Sequence, residues 1–263
     1  MFANHPKGLK VLFYTELWER MSYYGMRGLL VLFMTASISD GGLNYSNISA
    51  SAIYGIYASS VYLLALPGGW IGDRILGQQK AILYGGLIIT LGHFILAINF
   101  TSTFFFGLTF VVLGTGLLKP NISALVGSLY HKKENLKQSG FTLFYMAINV
   151  GSVLGFFICG YLGEKIGWHY GFSAAGFGMA LGILRYKYNL PILGNIGLKP
   201  NLQITHSEKR RDIKLVLISL VIICSILLSG TLGIVKFNPV PLANILTLII
   251  SLIAILYFYA WRS

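Results

Sequence analysis

Eight apolar runs of about 20 residues or more, joined by short polar connections, leave this chain few folds to choose from. Wound as α-helices, runs of that length match the ~30 Å hydrocarbon layer of a bilayer, and they are about twice as long as a barrel strand needs. Backbone N–H and C=O groups in lipid must find partners within the protein, which also favours helices here. The runs fall approximately at 11–37, 50–71, 80–100, 103–128, 140–162, 169–188, 213–233 and 241–261. The first is no cleaved leader, because it is long and interrupted by Glu16, Glu19 and Arg20.

Composition agrees. Of 263 residues, 55% are hydrophobic and only 11% charged, and the mean hydropathy is +0.70. A water-soluble surface needs more charge than that. The sequence predicts one all-α integral membrane unit: a six-helix bundle over 1–188, a cytoplasmic linker over 189–212 rich in Pro, Gly and cations, and a two-helix hairpin over 213–263. The last pair carries no charge inside either span, as expected of helices that touch lipid.

A net charge of +12 is compatible with a nucleic-acid partner, but the positions of the cations argue otherwise. Eight spans put both termini on one side. Lys7, Lys10, Arg74, Lys80, Lys132, Lys133, Lys137, Arg185, Lys187, Lys199, Lys209, Arg210, Arg211, Lys214 and Arg262 then share that side, against Lys165 and Lys236 on the other. Such a bias predicts cytoplasmic termini, in a cell (inner) membrane protein, and calls for no nucleic-acid partner. Cys159 and Cys224 form neither a disulfide framework nor a metal spacing. No phosphate-binding loop, GxSxG or HExxH stands in the chain, so neither an enzyme nor a metal or organic cofactor is expected.

The costly residues are informative. Glu16, Glu19, Arg20, Arg27 and Lys119 fall well inside predicted spans, where each charge costs at least ~2.5–3.5 kcal/mol near a helix centre. At about 100° per residue, Glu16, Glu19, Arg20, Tyr23, Tyr24 and Arg27 share an arc of roughly 140°, with Leu17, Trp18, Met21 and Gly25 opposite. The expectation is a polar stripe turned from lipid onto an aqueous path, and two glutamates beside an arginine suit proton exchange. The alternative for the outermost, Glu16, is snorkelling at the interface. Lys119 needs a carboxylate, and Glu16 and Glu19 are the intramembrane candidates. Pro120 beside it removes a backbone donor. Asn149 is as well suited to bonding a neighbouring helix as a ligand. His93, with no charged neighbour in sequence, reads as a satisfied packing residue, and Asp73 and Arg74 sit in a Gly-flanked turn that can clamp helix ends.

Three segments resemble a known family. Gly68, Gly69, Gly72, Asp73, Arg74 and Gly77 resemble the loop between helices two and three of the major facilitator superfamily. "ELWERMSYYG" resembles the ExxERFxYYG signature of the proton-dependent oligopeptide transporters through Glu16, Glu19, Arg20, Tyr23, Tyr24 and Gly25, with Met21 in place of Phe. "FYMAINVG" is similar to that family's FYxxINxG through Phe144, Tyr145, Ile148, Asn149 and Gly151, and "GLLKPN" to its lysine segment.

The resemblance implies proton-coupled symport of di- and tripeptides. It places Glu16, Glu19, Arg20 and Lys119 in proton coupling, and Arg27, Tyr23, Tyr24, Tyr62 and Asn149 against the peptide. Gly69, Asp73 and Arg74 would form a cytoplasmic gating loop, with protons as the coupling ion. It further implies three-plus-three inverted repeats in 1–188 and two inserted helices in 213–261. These residues would then be an amino-terminal half, not expected to transport alone without a facing bundle, for which a separately encoded carboxy-terminal half is the candidate partner. A non-transporting membrane scaffold and a proton-coupled carrier of another anion, such as nitrate, are the competing expectations.

Overall fold

The computed structural model describes residues 2–98, 101–202, 204–232, 234 and 238–262. Lys236, the side chain of Arg262 and the ends of two expected spans (residues 99, 100 and 233) lie outside the described residues. Helices are α1 Lys7–Thr35, α2 Asn47–Leu63, α3 Ala65–Ile71, α4 Gln78–Leu96, α5 Thr101–Ser128, α6 Lys137–Lys165, α7 Trp168–Leu193, α8 His206–Thr231 and α9 Pro239–Arg262. Five stretches, Asn47–Leu76, Gln78–Leu96, Thr103–Ser128, Glu134–Lys165 and His206–Gly230, are long and apolar enough to cross a membrane.

The run expected over 50–71 is broken. Pro67 has no N–H for the carbonyl of Leu63, and the helix restarts at Ala65. It then runs into one π-helical turn, Gly72–Leu76, so the expected 72–79 loop narrows to Gly77, whose φ is 82°. Gly77 has little choice of residue: a Cβ there would also meet the Leu198 carbonyl at 2.6 Å.

Glycines set how closely the helices approach. Gly151, Gly155, Cys159 and Gly163 repeat every four residues along the face of α6 that meets α1. Such small-residue stripes let backbones touch. A Cβ would lie 2.4 Å from the Leu17 carbonyl at Gly151 and 2.4 Å from that of Met21 at Gly155. On the other flank Gly178 and Gly182 of α7 receive Met21 and Trp18. α1 is therefore buried on nearly all sides. The face expected to lie away from the polar stripe is also inside, with Leu17, Met21 and Gly25 buried.

α4 packs on α5 and α7, α3 on α5, and α9 lies beside α2, while α8 meets the π-helical turn Gly72–Leu76 and α5. The 189–212 stretch is no free tether. α7 continues through Pro191 to Leu193, and Gln79 Nε2 donates to the carbonyls of Gly194 and Ile196 at 2.9 and 2.8 Å. The Leu202 N–H donates to the Asp73 carbonyl at 3.0 Å, and Thr205 with Glu208 forms a capping box that starts α8.

His93 departs from its expected satisfied role. It is fully buried, and neither ring nitrogen has a hydrogen-bond partner among the described residues. Replacing an unpaired buried polar group by an apolar one of similar size removes a desolvation penalty of about 1–3 kcal/mol. His93→Leu should therefore raise the midpoint of thermal unfolding in detergent; a fall would show that the imidazole has a partner in solution.

Candidate functional site

The charged turns of α1 meet inside the bundle. Arg20 Nε lies 3.2 Å from Glu16 Oε1, one helical turn away, and hydrogen-bonds Glu19 Oε2. Glu16, Glu19 and Arg20 are 3%, 0% and 3% exposed. This corrects one expectation, because the three do not line an open aqueous path, and it goes against the alternative that Glu16 snorkels. The α6 glycines bring that helix over Leu17 and Arg20, and buried Tyr57 of α2 stacks on Tyr23 of the next turn. The cluster holds two carboxylates and one guanidinium. Glu16 Oε2, Glu19 Oε1 and Arg20 Nη2 have no hydrogen-bond partner among the described residues. A sealed group with spare acceptors and one unbalanced carboxylate can take up a proton or a water.

One turn along, an aromatic ladder leads outward. The Arg20 guanidinium sits 4.8 Å from the centre of the Tyr23 ring, and Tyr23 stacks on Tyr57 at 6.4 Å. Tyr23 itself is buried, and Tyr24 and Arg27 are half-buried. Arg27 donates to the Tyr54 hydroxyl, and its guanidinium lies over the Tyr54 and Tyr24 rings at 5.3 and 6.0 Å. Such stacking presents the remaining guanidinium donors in a fixed plane, an arrangement suited to a carboxylate.

Lys119 does not pair directly with Glu16 or Glu19: among the described residues both carboxylates bind Arg20. Its ammonium stands 4.5 Å from the centre of the Tyr62 ring. Tyr62 is 61% exposed, and Asn149 is exposed on α6, its amide turned to the Tyr145 carbonyl at 3.4 Å. Arg27, Lys119, Tyr62 and Asn149 thus belong to partly or fully exposed surface around a sealed charge cluster.

Pro120 does not break α5. The Gly116 carbonyl, deprived of its donor at Pro120, points at Gly68 of α3, where a Cβ would sit 2.0 Å from it. Asn121 Nδ2 donates to the Gly68 and Leu117 carbonyls at 3.0 and 2.7 Å, and a Cβ on Gly72 would meet Asn121 Oδ1 at 1.8 Å. Gly69 faces Pro120, so the turn carrying Asp73 and Arg74 is fastened to the helix carrying Lys119.

The same turn is tied to α8. Arg74 Nε lies 2.9 Å from Asp212 Oδ2, and Asp73 Oδ1 accepts from Asn201 Nδ2 at 2.8 Å. Asp212 is 1% exposed. Sequence reasoning missed it, although an acid within "KRRDIK" was a signal; Tyr54 and Tyr57, one turn apart on α2, were another. Asp212→Ala should destabilise the contact of α8 with the bundle by about 2 kcal/mol, since it strips a charged hydrogen bond from Arg74. Protease nicking in 195–205 would report it, and unchanged resistance would count against the tether.

Residues 79–224 match the model of the POT family. The peptide transporter YePEPT of Yersinia enterocolitica is 40% identical over 265 residues, covering 98% of this chain and 52% of that protein. A di-/tripeptide transporter of Lactococcus lactis subsp. cremoris is also 40% identical, over 98% of this chain and 52% of its own length. The crystal structure of a peptide transporter POT in complex with sulfate superposes with a TM-score of 0.88 at 38% identity, covering 100% of this chain and 54% of that one. This chain therefore spans about half the length of the relatives it matches.

Proposed function

From the premise that this chain belongs to the POT family, as a multi-pass membrane protein with the major facilitator fold of a six-helix bundle and two further helices, we propose that it acts in proton-coupled symport of di- and tripeptides, supplying one wall of the transport path. The observation that carries the proposal is the adjacency of two chemistries. A sealed cluster with one carboxylate in excess, Glu16, Glu19 and Arg20, lies one to two turns along α1 from partly open surface bearing Tyr24 and Arg27.

In this reading a proton on Glu16 or Glu19 neutralises the excess charge, and Arg20 holds the ionised partner. Lys119 biases the same site by its charge. Arg27 takes the peptide carboxylate, Tyr24, Tyr62 and Asn149 offer side chains to the peptide backbone, and Tyr23 links the two chemistries from beneath. Phenol and amide groups of this kind tolerate varied substrate side chains. Gly69, Asp73 and Arg74 form the gating turn, and Arg74 holds α8 through Asp212. Protons are the coupling ion. A facing bundle completes the path, because alternating access rocks one bundle against another.

The test is a binding panel on the purified chain. Dipeptides of differing side chains should bind saturably and nitrate should not displace them; displacement would favour an inorganic anion, and absence of any dipeptide binding a scaffold. The orientation proposed places both termini in the cytoplasm of an inner membrane. Cysteines introduced by Asn44→Cys and Asn135→Cys, with native Cys224 replaced, should then label from opposite sides, with Asn135→Cys reached only from the cytoplasm. Labelling of both from one side would contradict the topology.

A further inference from the structure

A cavity of about 470 Å³ opens at the basic end of the bundle, between the start of α1 and the end of α7. Its polar lining is Lys7, Lys10, Arg185, His5 and Asn189, with no carboxylate. Among the described residues none of Lys7, Lys10 and Arg185 enters an ion pair. Three cations are thus gathered without an ion-pair partner among the described residues.

The local structure makes this costlier still. Helix α1 begins with Lys7 and has Lys10 one turn on, without an acidic residue in its first turn and without a side-chain cap. Cations at a helix N-terminus oppose the macrodipole, so an anion bound there would relieve two unfavourable terms together. The wall is held in place. Phe2 packs edge-on against Phe13, His5 bonds the Tyr130 hydroxyl at 2.8 Å, and Lys133 donates to the Asn4 carbonyl at 3.2 Å. The Arg185 guanidinium carbon lies over the Tyr14 ring, 3.9 Å from its centre.

The rest of the site is apolar in one direction. Phe177, Leu181, Leu184, Tyr188 and Ile192 are exposed on α7 at spacings of three or four residues. That stripe runs from the cavity, which Ile192 lines, along the helix toward the middle of the bundle. Cations at the mouth with an apolar track leading away match an amphiphile rather than a free ion. We propose that this cavity binds the phosphodiester headgroup of an anionic phospholipid, with an acyl chain lying along the exposed face of α7. The lipid would fix the start of α1 and so the helix that carries Glu16, Glu19 and Arg20.

Native mass spectrometry of the full chain tests this in micelles containing equal phosphatidylglycerol and phosphatidylcholine. One phosphatidylglycerol should be retained preferentially, and the preference should fall about tenfold in Lys10→Gln/Arg185→Gln but hold in Lys209→Gln/Lys214→Gln, which removes charge at the same end outside the cavity. Lys10→Gln alone, on an exposed side chain, should lower it a few-fold even if the double variant fails to fold. Millimolar inorganic phosphate should leave the lipid bound. Equal retention of the two lipids, undiminished retention in the Lys10 variants, or displacement by phosphate would overturn the proposal, the last in favour of a phosphate site.

Discussion

Arg20→Ala should leave little folded chain to purify. Glu16 and Glu19 would remain at 3% and 0% exposure with no cation bound to them. Removing one partner of a buried ionic group costs about 3–5 kcal/mol, a large share of a typical stability of about 5–15 kcal/mol. The cause is the orphaned charge rather than a lost contact, so the defect should be reversible. Adding Glu16→Gln and Glu19→Gln in the same chain removes both negative charges and should restore much of the yield and thermal midpoint. Size-exclusion profiles and unfolding midpoints in detergent would check both steps. A stable Arg20→Ala chain, or a triple variant no better than the single one, would count against the buried cluster as described.

Gly155→Leu should be almost as damaging, for a steric reason. A Cβ at Gly155 would lie 2.4 Å from the Met21 carbonyl and 2.8 Å from the Gly25 N–H nitrogen, both backbone atoms that cannot turn aside. Overpacking costs about 1–3 kcal/mol where side chains can yield, and the upper end or beyond applies where only a helix can move. A Cβ at Gly160, five residues on, would meet nothing within 4 Å, so Gly160→Leu should change the unfolding midpoint little. Equal effects at the two positions would mean that α1 and α6 are not held at this distance.

The contrast between these glycines shows where sequence reading stopped. The apolar runs placed the helices because lipid admits few alternatives, and α1 begins and ends within a few residues of its expected limits. Pro67 was visible in the sequence, but that it would split α2 from α3 depended on the carbonyl of Leu63 losing its donor. The charges of α1 marked it as special, and their spacing put them on one face. Whether that face met water or protein depended on glycines more than 130 residues away, which only packing brings together. Lys119 was likewise found by its cost, yet its position over Tyr62 comes from how α5 sits on α2. Asp212 escaped notice because a carboxylate among cations reads as a solvated turn until Arg74 is seen beside it.

The central claim joins a proton site and a peptide site within the same 263 residues. Linkage makes that claim measurable on the chain itself: if a proton and a peptide favour each other's binding, each changes the other's affinity by the same factor. The measurement is a calorimetric titration of a dipeptide into the purified chain across pH 5 to 8, repeated in buffers of different ionisation enthalpy to count protons. The account predicts proton uptake on binding, tighter binding at lower pH, and loss of both in the Glu16→Gln/Glu19→Gln variant. Dipeptide binding that takes up no proton, or a pH dependence that survives in that variant, would contradict it.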